Sequence, residues 1–365
     1  MALLRMSPKA SALALLASLC AILSLGAKAS THLTVATAPS TKLQAQLENL
    51  ALRAKPGTLG VTVIDLHSGQ TWRVNAGQAF PMMSVFKAPV AAAVLDRIEH
   101  GQLAMDRKVV IRRGELESGT LRDHFHGEQM RFTVGQLLTA AVSKSDNTAV
   151  DALLPLVGSP NAVTAFLRTH GIEGMRVDTG ERGFRPVFED LKPGQQPPAN
   201  ETDAQQLARL RRGYRAYLAD PRNRSTPDAA ADFLHKLWDG RLLSSASTRH
   251  LLDLMYAQTM PSRLRQGLPP GARLADKCGT SYTLEKTTAA YNDIGILSWP
   301  DGRAVAVAAF LTASTASKGE RDALFADLAH EVTAALHPSA SIANAPSAPA
   351  RRNPGTSAAP AGSGR

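Results

Sequence analysis

The chain has 365 residues, 44% of them hydrophobic, and a formal net charge of +10 at pH 7. That length can bury one large core or two lobes sharing one. Few aromatic residues and no clustered Lys/Arg stripe argue against nucleic-acid binding, and the lack of CxxC or HExxH spacing leaves a zinc site or other cofactor without support.

Residues 1–29 are expected to be a signal peptide. Arg5 and Lys9 make a positive start, Ala12 to Gly26 an apolar core, and Ala27-Lys28-Ala29 puts small residues at both positions a signal peptidase reads. The competing reading is a membrane anchor, but the run is too short and wrongly flanked for a span. Cys20 follows Leu19, where a lipoprotein needs a small residue. Cleavage removes Arg5, Lys9 and Lys28 and no acid, so the charge falls from +10 by three to +7. It also removes Cys20, and Cys278 alone cannot form an internal disulfide.

After the leader, residues 40–54 read as a helix. Leu59–Leu66 and Thr71–Val74 form a hairpin around His67-Ser68-Gly69-Gln70. The middle of the chain reads as helices. Thr133 caps a run carrying Leu137, Leu138, Ala141 and Val142, followed by Thr148–Val157, Ala162–Thr169 and Ala229–Leu237. Residues 183–225 stand apart, with Pro193-Gly194, Pro197-Pro198 and a basic run Arg209–Arg215 that has room for a short helix. A loop this long is usually functional or mobile. A second hairpin, Asn292–Trp299 and Arg303–Phe310, flanks Pro300-Asp301-Gly302, and a last helix runs from about Gly319 to Leu336. Strands at both ends and helices between them predict two lobes. An α/β lobe comes from residues 37–82 and 256–337, and an all-α lobe from 83–255 includes the long loop 179–225. Residues 338–365, rich in Ala, Pro, Ser and Gly, are expected to be a disordered tail.

The chemistry begins at Ser84-Val85-Phe86-Lys87, which opens a helical segment reaching about Glu99. A serine and a lysine three apart share a helix face, so the ammonium can lie beside the hydroxyl. A serine hydroxyl needs a neighbouring base to become a nucleophile, and a lysine made neutral by its surroundings can be one. The helix N-terminus adds positive potential near the alkoxide. Alone, this pattern reads first as a helix cap. Ser145-Asp146-Asn147 lies 61 residues on, between two helical runs, and Lys277-Cys278-Gly279-Thr280 precedes the second hairpin. Ser-x-x-Lys, Ser-Asp-Asn and Lys-Thr-Gly in this order are the set shared by class A β-lactamases and penicillin-binding proteins.

Over residues 40–337 the chain resembles a class A serine β-lactamase. Phe80-Pro81-Met82, Thr133-Val134, Ala140-Ala141-Val142 and Thr148-Ala149 fit that family, as do Thr164-Ala165-Phe166-Leu167, Ser225-Thr226-Pro227 and Leu268-Pro269-Pro270-Gly271. Phe80–Lys87, Gly279–Ser281 and Thr288–Gly295 resemble its divergent PER-type branch in particular. The resemblance implies the two-lobed fold shared with penicillin-binding proteins, an antiparallel sheet flanked by helices with an inserted helical domain. It implies an exported, periplasmic or secreted monomer that needs no metal, is not inserted in the membrane after cleavage, and hydrolyses small-molecule β-lactams.

The resemblance also implies residue roles. Ser84 would attack the lactam carbonyl and Lys87 would move its proton. Ser145 would relay a proton to the departing nitrogen. Asn147 would hold the substrate side chain, and Lys277 would support Ser145 and attract the substrate carboxylate. The backbone N–H groups of Ser84 and Thr280 would form the oxyanion hole, and Thr280 and Ser281 would meet the substrate through their hydroxyls. Glu181, 36 residues after Ser145 and following Met175-Arg176-Val177-Asp178, is the candidate to activate water for deacylation, with Glu189 as fallback and a surface loop glutamate as the bland reading. Arg263, 14 residues before Lys277, is a candidate ligand of the substrate carboxylate or a surface arginine.

Two features depart from the family. Cys278 replaces a hydroxyl residue with a weak hydrogen-bond donor, and Arg185 stands where the family usually has an asparagine beside the hydrolytic water, a change the PER-type branch shares. The loop after Glu181 is also enlarged. Two rival functions share the motifs: a penicillin-binding DD-peptidase, and a slowly deacylating β-lactam sensor or binding module.

Overall fold

Both ends of the described chain meet in one antiparallel sheet. The structure, a computed structural model, describes residues 41–260 and 262–337; the expected signal peptide and the tail from 338 onward lie outside these residues. Helix α1 (Thr41–Arg53) leads into β1 (Thr58–Asp65) and β2 (Thr71–Val74), and the short β3 (Phe80–Pro81) follows. Then come α2 (Lys87–Glu99), β4 (Lys108–Arg112), the single turn α3 (Thr120–Asp123), β5 (Gln129–Thr133), α4 (Val134–Ser143), α5 (Asn147–Leu153) and α6 (Pro160–Thr169). Helices α7 (Glu181–Glu189) and α8 (Asp203–Ala219) precede β6 (Arg224–Ser225), α9 (Pro227–Trp238) and α10 (Ser245–Tyr256). The chain returns through β7 (Arg273–Thr280), β8 (Thr283–Leu284), β9 (Thr287–Ser298) and β10 (Ala304–Ser314) to α11 (Lys318–Leu336).

The main sheet runs β2-β1-β10-β9-β7, with β8 paired to β9. Strands β1, β10, β9 and β7 are buried on both faces, so side-chain alternation sorts residues between two cores. On β10, Val305, Val307, Ala309 and Leu311 face α1 and α11 along with Leu43, Leu47, Phe325 and Leu328. Ala304, Ala306, Ala308 and Phe310 face the opposite way, into a core that continues through α2, α4, α5, α9 and α10. The helical lobe and the sheet thus share one apolar interior. Both hairpins form where the turn residues place them, β1 with β2 and β9 with β10. Side-chain caps start most of the helices: Thr133 closes a capping box with Gln136, Ser317 does so with Glu320, and Thr226 caps α9 ahead of Pro227.

Two expectations need correction. The middle lobe is not wholly helical, because Lys108–Arg112 and Gln129–Thr133 pair as a two-stranded ribbon. The stretch 179–225 is not an open loop with a short helix; it holds α7 and the 17-residue α8, packed on each other. Phe184 and Phe188 of α7 meet Tyr214 and Tyr217 of α8 in a small core of their own. The basic run is neutralised locally, with Arg209 paired to Glu201 at 2.9 Å, Arg212 to Asp190 at 2.7 Å and Arg211 to Glu285. No single helix among the described residues is long and apolar enough to cross a membrane.

Candidate active site

Ser84 lies in a 3-10 turn, Met83–Phe86, that feeds directly into α2, and its side chain remains partly accessible. The entry to this turn is constrained. Met83 has φ +47°, a conformation that costs a non-glycine residue energy and persists only where its surroundings enforce it. Those surroundings are visible: buried Asn292 on β9 donates to Pro81 O at 2.8 Å and Met82 O at 3.1 Å, and the Met82 N–H donates to Asn223 O at 3.0 Å. Gly279 on β7 completes the fit. A Cβ there would stand 2.4 Å from Met82 O and 3.1 Å from Ser84 N, so only glycine lets strand and nucleophile turn approach this closely.

Lys87, one helical turn on, is completely buried, and its Nζ donates to Ser84 Oγ at 2.9 Å and to Ser145 O at 2.6 Å. The same ammonium reaches Asn147 Oδ1 and pairs with the Glu181 carboxylate at 3.2 Å. A buried cation is tolerated only with such partners. Ser145 is held in the left-handed region at φ +55° by Asp146, which is buried, caps α5 through Ala149 N and accepts from Leu121 N. This turns Ser145 Oγ toward a second buried lysine, Lys277 of β7, at 2.9 Å, while Lys87 Nζ lies 3.5 Å from the same oxygen. Burial, reinforced by the Lys87 and Arg263 charges, pulls the Lys277 ammonium down to about 8.

Glu181 is the first residue of α7, and its Oε1 lies 3.4 Å from Ser84 Oγ. The helix starts at Gly180, which brings no capping side chain. Asp151 of α5 supplies the cap instead, accepting from Glu181 N at 2.8 Å and Arg182 N at 2.9 Å. Burial pushes the Asp151 carboxyl up to about 6. Reasoning from sequence missed Asp151, although a residue four after Asn147 shares its helix face. Glu189, the fallback, sits a helix length away and pairs with Arg185 at 3.6 Å. Arg185 also reaches Glu117 at 3.9 Å, so it lies on the outer rim. With Asn147, Glu181, Phe184, Phe188, Leu210 and Tyr282, these residues line a cavity of about 350 Å³ opening from the Ser84 cleft.

On the β7 side, Thr280 is exposed and its Oγ1 accepts from Arg263 Nη2. Arg263 is 3% exposed and is therefore not a surface arginine. Cys278 is buried beside Lys277. Ser281 departs from expectation: its hydroxyl donates to Tyr282 O and accepts from Ala290 N, both at 3.0 Å, so it is committed to the turn rather than offered to the cleft.

A serine, two buried lysines, a second serine and a carboxylate around one cleft can acylate the first serine and deliver water to the product. The family model described as "Beta-lactamase enzyme family" matches residues 42–336. The extended-spectrum β-lactamase PER-1 of Pseudomonas aeruginosa is 32% identical over 297 residues, covering 80% of this chain and 87% of that protein. The chain belongs to the class A β-lactamase family. Within that family, β-lactamase L2 of Stenotrophomonas maltophilia is 33% identical over 301 residues, covering 81% of this chain and 87% of that one. Among solved structures, a β-lactamase from Chitinophaga pinensis aligns with a TM-score of 0.68 at 30% identity, covering 80% of this chain and 98% of that one. An ancestral class A β-lactamase (GNCA) aligns at 0.65 with 36% identity, covering 80% and 99%.

Proposed function

We propose that the protein hydrolyses the lactam amide of penicillins and cephalosporins through an acyl-enzyme on Ser84. Ser84 Oγ bonds to the lactam carbonyl carbon as its proton passes to the Glu181 carboxylate, or to Lys87 once the Lys87 ammonium has handed a proton to Glu181. The backbone N–H groups of Ser84 and Thr280 take the oxyanion. As the C–N bond breaks, Ser145 gives its proton to the departing nitrogen and is resupplied by Lys87 or Lys277. Asn147 holds the acylamino side chain, and Lys277, Thr280 and Arg263 take the substrate carboxylate. Ser281 shapes the turn that presents Thr280. Glu181 then removes a proton from water, which attacks the ester and frees Ser84.

The observation that carries this reading is the Glu181 carboxylate, 3.4 Å from Ser84 Oγ and 3.2 Å from Lys87 Nζ. A sensor, or a DD-peptidase that releases β-lactams slowly, needs no base at the β-lactam ester; a carboxylate poised at the ester position serves its hydrolysis. The 350 Å³ cavity under α7 and α8 supports cephalosporins with bulky side chains as substrates, in keeping with the extended-spectrum name of PER-1. The same proposal includes lobe boundaries at 82–83 and 255–256, cleavage of residues 1–29, export to the periplasm or medium, and action as a monomer. Purified protein mixed with a chromogenic cephalosporin should give sustained colour with no lasting mass increase. A burst that stops with an adduct on Ser84 would instead identify a peptidase or sensor.

A further inference from the structure

Resting on the reading of Arg263 as an anchor for the substrate carboxylate, we propose that Tyr291 is the positioning residue that holds its guanidinium at the cleft, with Asp322 fixing the ring. Arg263 is buried, with φ +71°, and its Nε has no hydrogen-bond partner. Among the described residues it forms no ion pair; what holds it is the Thr280 hydroxyl and the Tyr291 ring, whose centroid lies 4.0 Å from Cζ. A guanidinium on a π face is stabilised without being neutralised. Asp276, Asp293 and Asp322 act on its charge only from beyond ion-pair distance, so the guanidinium keeps donors for an anion arriving from solution that a direct buried pair would have taken.

The ring itself is fixed from several sides. Tyr291 stands opposite Thr280 in the β7–β9 register, so strand pairing sets ring and hydroxyl side by side on one face of the sheet, where both meet Arg263. The Tyr291 hydroxyl donates to Asp322 of α11, whose other oxygen takes Lys318 Nζ at 2.6 Å. Phe325 packs edge-on at 5.6 Å, and a second guanidinium, Arg321, lies 5.0 Å from the same centroid. The Asp322 carboxylate offsets these two cations across the ring. A phenylalanine would keep the π face; only tyrosine ties it to α11.

The test uses one cephalosporin as the free acid and as its carboxylate methyl ester, with Arg263→Ala, Tyr291→Leu, Tyr291→Phe and Asp322→Asn, each checked by melting temperature. Arg263→Ala and Tyr291→Leu should raise KM for the acid about ten-fold at little-changed kcat and leave the ester within about two-fold. Tyr291→Phe should restore most of the loss, and Asp322→Asn should raise KM for the acid about three-fold. A folded Tyr291→Leu that keeps the wild-type preference for acid over ester, or a Phe variant as impaired as Leu, overturns the proposal. If Tyr291→Leu does not fold, an unchanged preference in Asp322→Asn overturns it. Absence of wild-type turnover would count against the lactamase reading itself, and an Arg263→Ala variant with normal KM would count against Arg263 as anchor.

Discussion

Two lysines lie within reach of the Ser145 hydroxyl; in the proposed mechanism they resupply its proton, and they make the site sensitive to pH. With its ammonium pulled down to about 8, Lys277 in the free enzyme loses its charge as pH rises through that value. A neutral Lys277 attracts the substrate carboxylate less, whereas bound carboxylate favours the charged form and holds it to higher pH. The expected outcome is that kcat/KM falls above about pH 8 while kcat persists further; kcat/KM flat to about pH 10 would remove this charge from binding. Cys278, its neighbour, is a small buried residue whose thiol donates weakly. Cys278→Thr should keep turnover or raise kcat/KM by up to about ten-fold, the worth of one hydrogen bond. Complete loss in steady-state assays would show that the thiol has a task of its own.

Helices α7 and α8 form the wall that distinguishes this cleft, and one glycine lets them close. A Cβ on Gly213 would stand 2.3 Å from Phe188 O and 2.6 Å from Val187 O, backbone atoms that cannot swing aside. Gly213→Ala should cost about 1–3 kcal/mol of stability, visible as a lower melting temperature. It should also raise KM for cephalosporins with large side chains more than for small penicillins; equal effects on both would detach this wall from side-chain binding. Helix α8 was legible in principle. Thr202 and Gln205 make a capping box, and Leu207, Leu210, Tyr214 and Tyr217 follow at helical spacing. The arginines between them hid the pattern, because they read as one basic run until the fold pairs them with Glu201, Asp190 and Glu285.

At the scale of the whole molecule, the site sits where two lobes meet, Ser84 and Ser145 coming from the helical side and Lys277 and Thr280 from the sheet. The three motifs could be read because each is a run of three or four adjacent residues. The hairpins and the terminal helices were equally plain, their periodicity and turns being local too. Asp151 capping Glu181, Asn292 tethering Pro81, and Tyr291 under Arg263 each join distant segments, and nothing in the linear sequence pairs them. Their roles emerge only from register and packing. The central claim is that this assembly both acylates Ser84 and releases it through Glu181. Intact-mass measurement of Glu181→Gln mixed with a cephalosporin tests it most directly: the account predicts a stable adduct on Ser84 with turnover slowed by about 100-fold or more, and a variant that turns over like the wild type with no adduct would contradict it.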